Sequence, residues 1–462
     1  MYISPPAPPA PTVRRRRWPL IVAAFATVLA VVSGGGIWWW FLGGAESWAR
    51  SQWTPPRQAL LSPLLRPPTP GWRASIADLG LPADARINAG RDSWEYPVIK
   101  TTSSQTYLLA STPGPPEQWW LAGIDGATGR PLFPAVPMGE TRQIPRCFPN
   151  GTDVVCISDH VVEPSTAWVI DGQSGGLIYT GPTELRLANG AQPSVEWTPN
   201  YLVAMEKGIG AYGVGRHAEK TWHVPGYGDG LGLVADDIAF GGKGHGGVLM
   251  FSVKDGRQWS PRLPSDADFS AHYFFEGGFA GQFDSGSGHR FAQLFDSKGN
   301  PINGRRINGW LTAVTGNLVE VLGLDDMLSI YDTHGRKLLE MPSSSPRNTF
   351  LIGTKLWISD ETNSVHYKYR SHDISSGAIG KPCPLDFSDY LGTDEAVIVR
   401  APRGRAEAAS GQPLAQAYNL TTCEVAWTIP RPPGSLGTVE RLGDTLVRLS
   451  DDGTELFSLV NR

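Results

Sequence analysis

Short apolar runs separated by Gly-containing turns recur along the chain from residue 72 to the C-terminus. In each unit an apolar strand ends in Asp or Asn, a turn containing Gly follows, and a second strand begins. The Asp or Asn side chain can hydrogen-bond the turn backbone, and Gly adopts the left-handed conformation that a tight hairpin needs. The copies are Ile124-Asp125 with Gly129, Ile170-Asp171 with Gly175, a worn copy at Gly213 to Arg216, Asp255-Gly256, Phe295-Asp296 with Gly299, Tyr331-Asp332 with Gly335, Asp373 with Gly377, Tyr418-Asn419 and Val460-Asn461.

The units follow one another at a spacing of about 40 residues, which is the period of β-propeller blades. Two further apolar runs precede each turn, as Leu318 to Leu322 precedes Leu328 to Tyr331. Each unit therefore predicts a four-stranded sheet. Such a sheet cannot bury both of its faces alone, so the units must stack in a ring. The predicted fold class is an all-β propeller preceded by one transmembrane helix.

The number of blades follows less directly from the sequence. Eight complete units are followed by a three-stranded remainder at 438–442, 445–449 and 456–460. The remainder can take its fourth strand from the N-terminal side, at Trp72 to Leu79, and so close the ring. Counted literally this makes nine blades. Because nine-bladed rings are rare, we predict eight, with one unit miscounted and seven to nine as the range.

The N-terminal region predicts a membrane anchor over residues 18–42. Residues 18–45 carry no charge, and a helix needs about 20 apolar residues to cross a bilayer. Trp38 to Phe41 form an aromatic cluster at one end, and Arg14 to Arg17 lie at the other, cytoplasmic end. A cleaved signal peptide is the rival interpretation, but its apolar region is usually about 7–15 residues long. We predict a single-pass protein of the cell membrane with an extracytoplasmic propeller.

The predicted organisation has four parts: a cytoplasmic tail over 1–17, a transmembrane helix over 18–42, a Pro-rich linker over 43–71 and a β-propeller over 72–462. We expect the linker to act as a spacer between membrane and propeller, with a helix around Gln58 to Leu65.

The four cysteines predict two structural disulfides. Cys147 and Cys156 flank Asn150-Gly151, and a hairpin with its loop there places them opposite each other. Cys383 and Cys423 lie one repeat apart, hence in neighbouring blades. Four cysteines allow three pairings, of which we predict 147–156 and 383–423. Disulfides persist outside the cytoplasm, in agreement with the anchor. A zinc site is disfavoured, because there is no Cys-x-x-Cys and no His at ligand spacing.

The repeat resembles that of the quinoprotein-like (PQQ-type) propellers, in which a strand ends in Ala-Leu-Asp and Thr-Gly-Lys and a Trp-bearing strand follow. The segments that carry the resemblance are Ile124 to Arg130 and Ile170 to Gly175. Trp222, Trp259 and Trp427 fall where that family places the Trp that docks one blade on the next. The resemblance covers roughly residues 72 to 462 in degenerate form.

The resemblance implies one of two functions. Some members are dehydrogenases with pyrroloquinoline quinone, calcium and a disulfide between adjacent cysteines. Others bind no cofactor and serve as scaffolds in envelope protein assembly. This chain has no adjacent cysteines and no assignable calcium ligands, which places it nearer the second, membrane-anchored scaffold branch. We therefore predict no cofactor.

Other polar groups are interpreted as structural. His366, Lys368, Arg370 and His372 alternate along one strand and predict a solvated face opposite Tyr367 and Tyr369. Gly241 to Gly247 lacks the spacing of a phosphate loop and predicts an inter-strand loop. Asp386, Asp389, Asp394 and Glu395 match no standard calcium loop and predict a blade connection.

The net charge of the whole chain is −4. The only charged residues among the first 45 are the four Arg of the predicted tail, so the remainder of the chain is more acidic than the whole. An acidic body argues against a nucleic-acid partner. We assign no catalytic, cofactor or metal-binding residue. The predicted function is a membrane-anchored extracytoplasmic scaffold that binds an envelope or membrane protein. The alternative is a quinoprotein-like or hydrolytic enzyme with its site in the axial funnel, because propeller sites combine residues from many blades.

Overall fold

The computed structural model describes residues 44–87, 98–100, 105–114, 117–141, 143–159, 164–187, 194–198, 200–226, 232–235, 237–243, 247–286, 288–342, 348–359, 368–385, 387, 389–402, 411–433, 435 and 437–461. The predicted cytoplasmic tail and transmembrane helix lie outside these residues. Within the described ranges no helix is both long and apolar enough to cross a membrane.

The described chain forms one α-helix followed by strands that group into nine antiparallel sheets, or blades. The helix is α1 (Ala45–Gln52), and strand β1 (Thr69–Ser75) follows it. Blade 1 contains β2 (Arg86–Ile87), β3 (Val98–Lys100), β4 (Gln105–Ser111), β5 (Glu117–Asp125) and β6 (Pro131–Thr141); blade 2, β7 (Arg146–Asn150), β8 (Asp153–Ser158), β9 (Ser165–Asp171) and β10 (Leu177–Thr183); blade 3, β11 (Ser194–Trp197), β12 (Leu202–Glu206), β13 (Gly210–Val214) and β14 (Lys220–Pro225); blade 4, β15 (Gly232–Ala235), β16 (Ile238–Lys243), β17 (Gly247–Ser252) and β18 (Gln258–Trp259); blade 5, β19 (Asp268–Phe275), β20 (Gly278–Asp284), β21 (Arg290–Asp296) and β22 (Pro301–Asn308); blade 6, β23 (Trp310–Thr315), β24 (Leu318–Leu322), β25 (Met327–Asp332) and β26 (Lys337–Pro342); blade 7, β27 (Thr349–Ile352), β28 (Lys355–Ser359), β29 (Tyr369–Asp373) and β30 (Ile379–Cys383); blade 8, β31 (Tyr390–Thr393), β32 (Val397–Arg400), β33 (Ala415–Asn419) and β34 (Val425–Ile429); blade 9, β35 (Val439–Leu442), β36 (Thr445–Leu449) and β37 (Glu455–Val460).

The prediction of an all-β propeller is confirmed, but the preferred number of eight blades was wrong. The worn copy at Gly213 to Arg216 is the end of a true third strand and its turn, in blade 3. The C-terminal remainder forms blade 9 at the predicted positions. The literal count of nine was therefore correct. The error arose because eight was preferred to nine on the ground that nine-bladed rings are rare.

Blade 9 closes the ring with the N-terminal strand. Strand β1 pairs antiparallel with β37, with Arg73 opposite Phe457. The fourth strand was expected at Trp72 to Leu79; it begins three positions earlier and ends at Ser75, where Ser75 and Asp78 close a turn. Apolar residues of blade 9 share a core with residues of blade 1, Leu108 and Ile124 among them. The core of the molecule thus lies between blades.

First strands of neighbouring blades contact each other, as in the pairs β15 with β19 and β23 with β27, and therefore lie innermost; in blade 1 the strand in this position is β3, which contacts β7. On the outside, the last strand of a blade covers the turn of the next. A Cβ at Gly129 would lie 2.4 Å from the Trp72 ring, and one at Gly256 would lie 2.8 Å from the Trp222 ring. Gly at these turns (φ +73° and +71°) thus allows both the backbone conformation and the close docking.

Of the three Trp residues expected to dock blades, Trp222 does so on Gly256. Trp259 packs against the aromatic core that blades 4 and 5 share. Trp427 packs in the core that blades 8 and 9 share, and its Nε1–H also donates to the carbonyl of Leu64 in the N-terminal segment at 2.7 Å.

Residues 45–68, which we name the strap, lie against the propeller. We expected a spacer here with a helix around Gln58 to Leu65; the helix is instead at Ala45–Gln52, and Gln58 to Leu65 is extended or irregular. Trp53 and Leu64 are buried among residues of blades 6–7 and 8–9 respectively. The Pro residues that suggested a spacer prevent helix formation, while the apolar residues between them pack on the blades.

Candidate protein-interaction surface

The ring has two faces of different character. Because the strands of a blade alternate in direction, the turns after the first and third strands lie on one face, and the turns after the second strands lie with the inter-blade connections on the other. We name the first the strap face, since the strap contacts its turns at 316–317, 353–354, 394–396 and 443–444. We name the second the open face.

The strap follows these turns from blade 6 to blade 9 through hydrogen bonds to backbone and side-chain groups of the turns. The indole N–H of Trp53 donates to Asn317 Oδ1 at 3.1 Å, and the Asn317 amide donates to the carbonyl of Thr54 at 2.9 Å. Gln58 forms a paired contact with Gly353: its amide donates to the carbonyl (3.2 Å) and its Oε1 accepts from the N–H (2.9 Å). The strap therefore satisfies hydrogen-bonding groups of the turns in blades 6 and 7: the side chain of Asn317 and the backbone N–H and carbonyl of Gly353.

The contacts continue across blades 8 and 9. Leu61 N–H donates to the carbonyl of Thr393 at 2.7 Å, and Ser62 N–H donates to the carbonyl of Asp444 at 2.9 Å. Leu64 N–H donates to the carboxylate of Asp394 at 2.5 Å. The strap therefore covers these turns of blades 6–9, while its own outer residues, Trp48, Arg57, Leu65 and Arg66, stay exposed.

On the open face, the junction of blades 5 and 6 exposes large apolar side chains. Trp310 is 54% exposed and Leu324 is 94% exposed. Trp310 begins β23 opposite Leu322, and Leu324 lies in the turn after β24. The connection between the two blades is the single residue Gly309 (φ +130°), where a Cβ would lie 2.5 Å from the carbonyl of Leu322. This tight passage holds the Trp310 ring at the surface.

A guanidinium orders the exposed Trp. The Cζ of Arg290 lies 4.5 Å from the centroid of the Trp310 ring, and its Nε donates to Asp284 Oδ1 at 2.7 Å. We name Asp284, Arg290, Trp310 and Leu324 the blade 5/6 patch. A cation over an indole face is attractive, and the ion pair limits the rotamers of Arg290. The patch is therefore ordered before any partner binds, which lowers the entropy cost of binding.

A second Arg–aromatic stack lies beside the patch. Arg306 donates from both of its terminal nitrogens to the carboxylate of Asp266 (2.9 and 2.6 Å), and its Cζ lies 4.5 Å from the centroid of the Phe291 ring. The Arg306 guanidinium lowers the pKa of Asp266. Phe291 is itself buried (4% exposed), so this second stack fixes Arg306 and Asp266 beside the patch rather than exposing another aromatic ring.

One carboxyl is deeply buried in blade 6, toward the strap face. Glu320 of β24 is 1% exposed, and its Oε1 accepts from the hydroxyls of Thr315 (2.8 Å) and Thr349 (2.7 Å). Burial raises the pKa of Glu320, and the two hydroxyl hydrogen bonds oppose part of that rise. The carboxyl joins blade 6 to Thr349 in the innermost strand of blade 7, so its place in the structure is an inter-blade contact.

The predicted cysteine pairs are both present. Cys147 and Cys156 face each other across β7 and β8, with Cα atoms 3.9 Å apart. Cys383 ends β30 and bonds to Cys423 in the last turn of blade 8, with Cα atoms 5.2 Å apart. The second disulfide joins two blades on the strap face, where Lys381 also donates to the carbonyl of Thr422 at 3.1 Å.

The polar groups set aside in the sequence do not assemble into one site. On β29, Tyr369 is buried as expected, but His372 is only 7% exposed, so the expected solvated face is wrong at that residue; His366 and Tyr367 lie outside the described residues. Lys368 is exposed and Arg370 is half-buried.

Gly241 to Lys243 belong to β16 rather than to a loop, with Lys243 opposite Gly247, and His245 lies outside the described residues. Asp389 and Asp394 stand at opposite ends of β31, where Asp394 accepts from the N–H groups of Ala396 and Val397. Asp386 is not among the described residues. Across the part of the chain that the structure describes, no three His, Cys, Asp or Glu side chains are placed to share a metal ion.

Sequence reasoning missed the blade 5/6 patch. In the sequence, Trp310 is an ordinary apolar residue at the start of a strand. The feature that could have indicated its exposure is the single Gly309 that precedes it. Leu324 follows Gly323 and precedes two Asp residues, which is an unusual setting for a core Leu and could have indicated a surface role.

Comparisons with known proteins agree with the blade count. The profile of a family described as a conjugation-associated 9-bladed β-propeller domain matches residues 45–462. An uncharacterized protein of Mycolicibacterium smegmatis (strain MKD8) is 32% identical over 446 residues, which is 90% of each chain. The family match begins at the first residue of α1, so it includes the strap.

Solved structures resemble the chain more distantly. BamB from Moraxella catarrhalis is 12% identical, covers 85% of this chain and 98% of its own, and superposes with a TM-score of 0.36. The dihydro-heme d1 dehydrogenase NirN is 13% identical over 68% of this chain and 78% of its own, with a TM-score of 0.33. At these TM-scores neither likeness bears on function.

Proposed function

The chain belongs to the family of conjugation-associated nine-bladed β-propeller domains, and from this premise we propose that it is a membrane-anchored scaffold which binds a protein of the conjugation apparatus. The partner contacts the blade 5/6 patch. The chain acts by holding that partner in place and not by transforming a substrate.

The observation that carries the proposal is the exposed Trp310–Arg290 stack with Leu324 beside it. Trp and Arg are the residue types that contribute most to protein–protein binding energy, and they do so near the centre of an interface. An exposed Leu at 94% gains stability only when another surface covers it. Asp284 and Asp266 at the edge supply the polar rim that such interfaces have.

The anchor and the extracytoplasmic location are parts of the same proposal. They are supported by the apolar run at 18–42 with four Arg on its cytoplasmic side. Two disulfides in one chain also favour an oxidising compartment.

Photo-cross-linking in native membranes tests the binding site. A photoreactive amino acid replaces Leu324 in one full-length protein and Leu177, an equally apolar exposed residue of blade 2, in another. We expect a discrete cross-linked protein from position 324 and none from position 177. Trp310→Ala introduced beside the probe should reduce that product at least ten-fold, because removal of a central Trp costs about 2 kcal/mol or more.

The conjugation frequency of cells that carry each variant connects binding to function. Trp310→Ala should lower the frequency, and the matched truncation Leu177→Ala should leave it unchanged. Equal cross-linking at both positions, or a Trp310→Ala strain with normal transfer and an unchanged cross-link, would remove the patch as the binding site.

A further inference from the structure

The strap fixes how the propeller is oriented relative to the membrane. The predicted transmembrane helix ends at Leu42 and α1 begins at Ala45, so the three Cα steps between them span at most about 11 Å. Helix α1 is bound to blade 6 directly: Glu46 Oε1 lies 3.0 Å from Lys337 Nζ, and Arg50 donates to the carbonyl of Leu338 at 2.9 Å. A spacer of 43–71 would have allowed free rotation; a seated α1 does not.

The seat of α1 is at the strap-face end of blade 6. Lys337 begins β26 directly after the turn 333–336 of the strap face. Trp53, one residue past the helix, is held at the turn 316–317 of the same blade. Since α1 is only about 12 Å long, the whole attachment lies close to the point where the chain leaves the bilayer.

The surface around this attachment has the composition of a membrane interface. Its large apolar residues are exposed: Trp48 (47%), Leu65 (49%), Ile379 (61%) and Val425 (48%). Basic residues stand among them, with Arg57, Arg66 and Lys381 exposed and the Arg336 guanidinium 5.8 Å from the centroid of the Trp48 ring. Trp and Arg or Lys side chains combine an apolar body with a polar end and favour the headgroup region.

We propose that the strap face of blades 6–8 rests on the outer surface of the membrane, with its Arg and Lys residues on anionic phospholipid headgroups. This proposal rests on the membrane anchor of the proposed function. Strands of blade 6 are about 20 Å long, so the blade 5/6 patch at their other end points away from the bilayer. Its partner is then a protein that reaches the patch from the extracytoplasmic space.

Depth-dependent fluorescence quenching tests the orientation on the full-length protein in vesicles of phosphatidylcholine and phosphatidylglycerol. The native cysteines are paired, so one added cysteine can carry an environment-sensitive dye under non-reducing conditions. Gln52→Cys places the dye on the strap face and Leu324→Cys places it at the opposite end of the same blade. A headgroup-labelled nitroxide lipid should quench the dye at 52 at least two-fold more than the dye at 324.

Equal quenching at the two positions, or stronger quenching at 324, would overturn the orientation. Replacing phosphatidylglycerol with phosphatidylcholine should reduce quenching at 52, and no change would overturn the role of anionic headgroups. Flotation of the vesicles after carbonate extraction reports separately on the anchor. Protein that floats without selective quenching refutes the orientation alone, whereas protein that does not float refutes the anchor.

Discussion

The two faces of the ring are built from the same blades but differ in how much of their surface is covered. On the strap face, the turns of blades 6–9 donate to and accept from residues 53–64, and Trp53 and Leu64 are buried there. On the open face, the junction of blades 5 and 6 leaves Trp310 and Leu324 in solvent. A repeat fold therefore acquires distinct faces when a non-repeating segment covers one of them. Trp53 contributes to folding on the covered face, whereas Trp310 remains available for binding on the open face.

The largest expected effect is at the strap. Trp53→Ala removes a buried ring (7% exposed) and the hydrogen bond to Asn317, so we expect the free energy of unfolding to fall by about 5 kcal/mol, the upper end for Trp to Ala. Urea denaturation measures it. The matched change Trp48→Ala, at a residue that is 47% exposed, should cost about 1 kcal/mol. A loss of about 1 kcal/mol or less at Trp53 as well would mean that the strap does not stabilise the ring.

The disulfides come next. Cys383→Ser with Cys423→Ser opens a 40-residue loop between blades 7 and 8, and chain entropy predicts a loss of about 4 kcal/mol. Cys147→Ser with Cys156→Ser opens a loop of 9 residues in blade 2, which predicts about 2.6 kcal/mol. Thermal unfolding of the two double variants ranks them. A larger loss of stability without the blade 2 disulfide would contradict the expectation that the Cys383–Cys423 disulfide stabilises the protein more.

Glu320, which is buried beneath the strap face, makes the free energy of unfolding depend on pH. Above the unfolded pKa of a Glu (about 4.3), and up to the raised pKa in the folded protein, only the folded state keeps the proton, so the free energy of unfolding falls as pH rises. Glu320→Gln should remove this fall, by about 1.4 kcal/mol for each unit by which burial raises the pKa.

Denaturation of wild-type and Glu320→Gln protein at pH 4 and pH 8 measures the difference. The variant should be the more stable at pH 8, and its advantage should shrink at pH 4. An advantage that is equal at both values would show that Glu320 does not titrate differently in the folded protein.

The smallest expected effect on stability is on the open face. Trp310→Ala should change the free energy of unfolding by about 0.5 kcal/mol or less, because the residue is mostly exposed. The same variant should lose the cross-linked partner. A loss of several kcal/mol in denaturation would instead make Trp310 a structural residue and remove the contrast between the two faces.

Much of the fold could be predicted because the repeat is local. The Asp–Gly turn needs only neighbouring residues, so Asp171 accepts from the N–H groups of Gln173 and Ser174 within its own turn. The Cys147–Cys156 pair follows from one hairpin. The blade number was misjudged only because nine-bladed rings are rare, since the count from the sequence was nine. Blade 3 was recognised although it lacks the Asp of the turn; Gly215 to Glu219 close that turn differently, with Glu219 accepting from the N–H of His217.

The docking of the strap could not be predicted, since it depends on residues distant in sequence, and the patch was missed because the exposure of Trp310 and Leu324 depends on how blades 5 and 6 meet. Gln58 meets Gly353, and Trp427 meets Leu64, across about three hundred residues or more. The membrane anchor and the choice between scaffold and enzyme stay predictions from sequence.

The sequence by itself determined the strands, their turns, the four-stranded repeat and both disulfides, because alternation, Gly at left-handed positions and one-repeat spacing act within a blade or between adjacent blades. Only the tertiary structure decided which face the N-terminal segment covers and which aromatic residues stay in solvent. The physical reason is that ring closure brings blade 9 to residues 69–75, and the path of the preceding residues is then set by the turns they happen to meet.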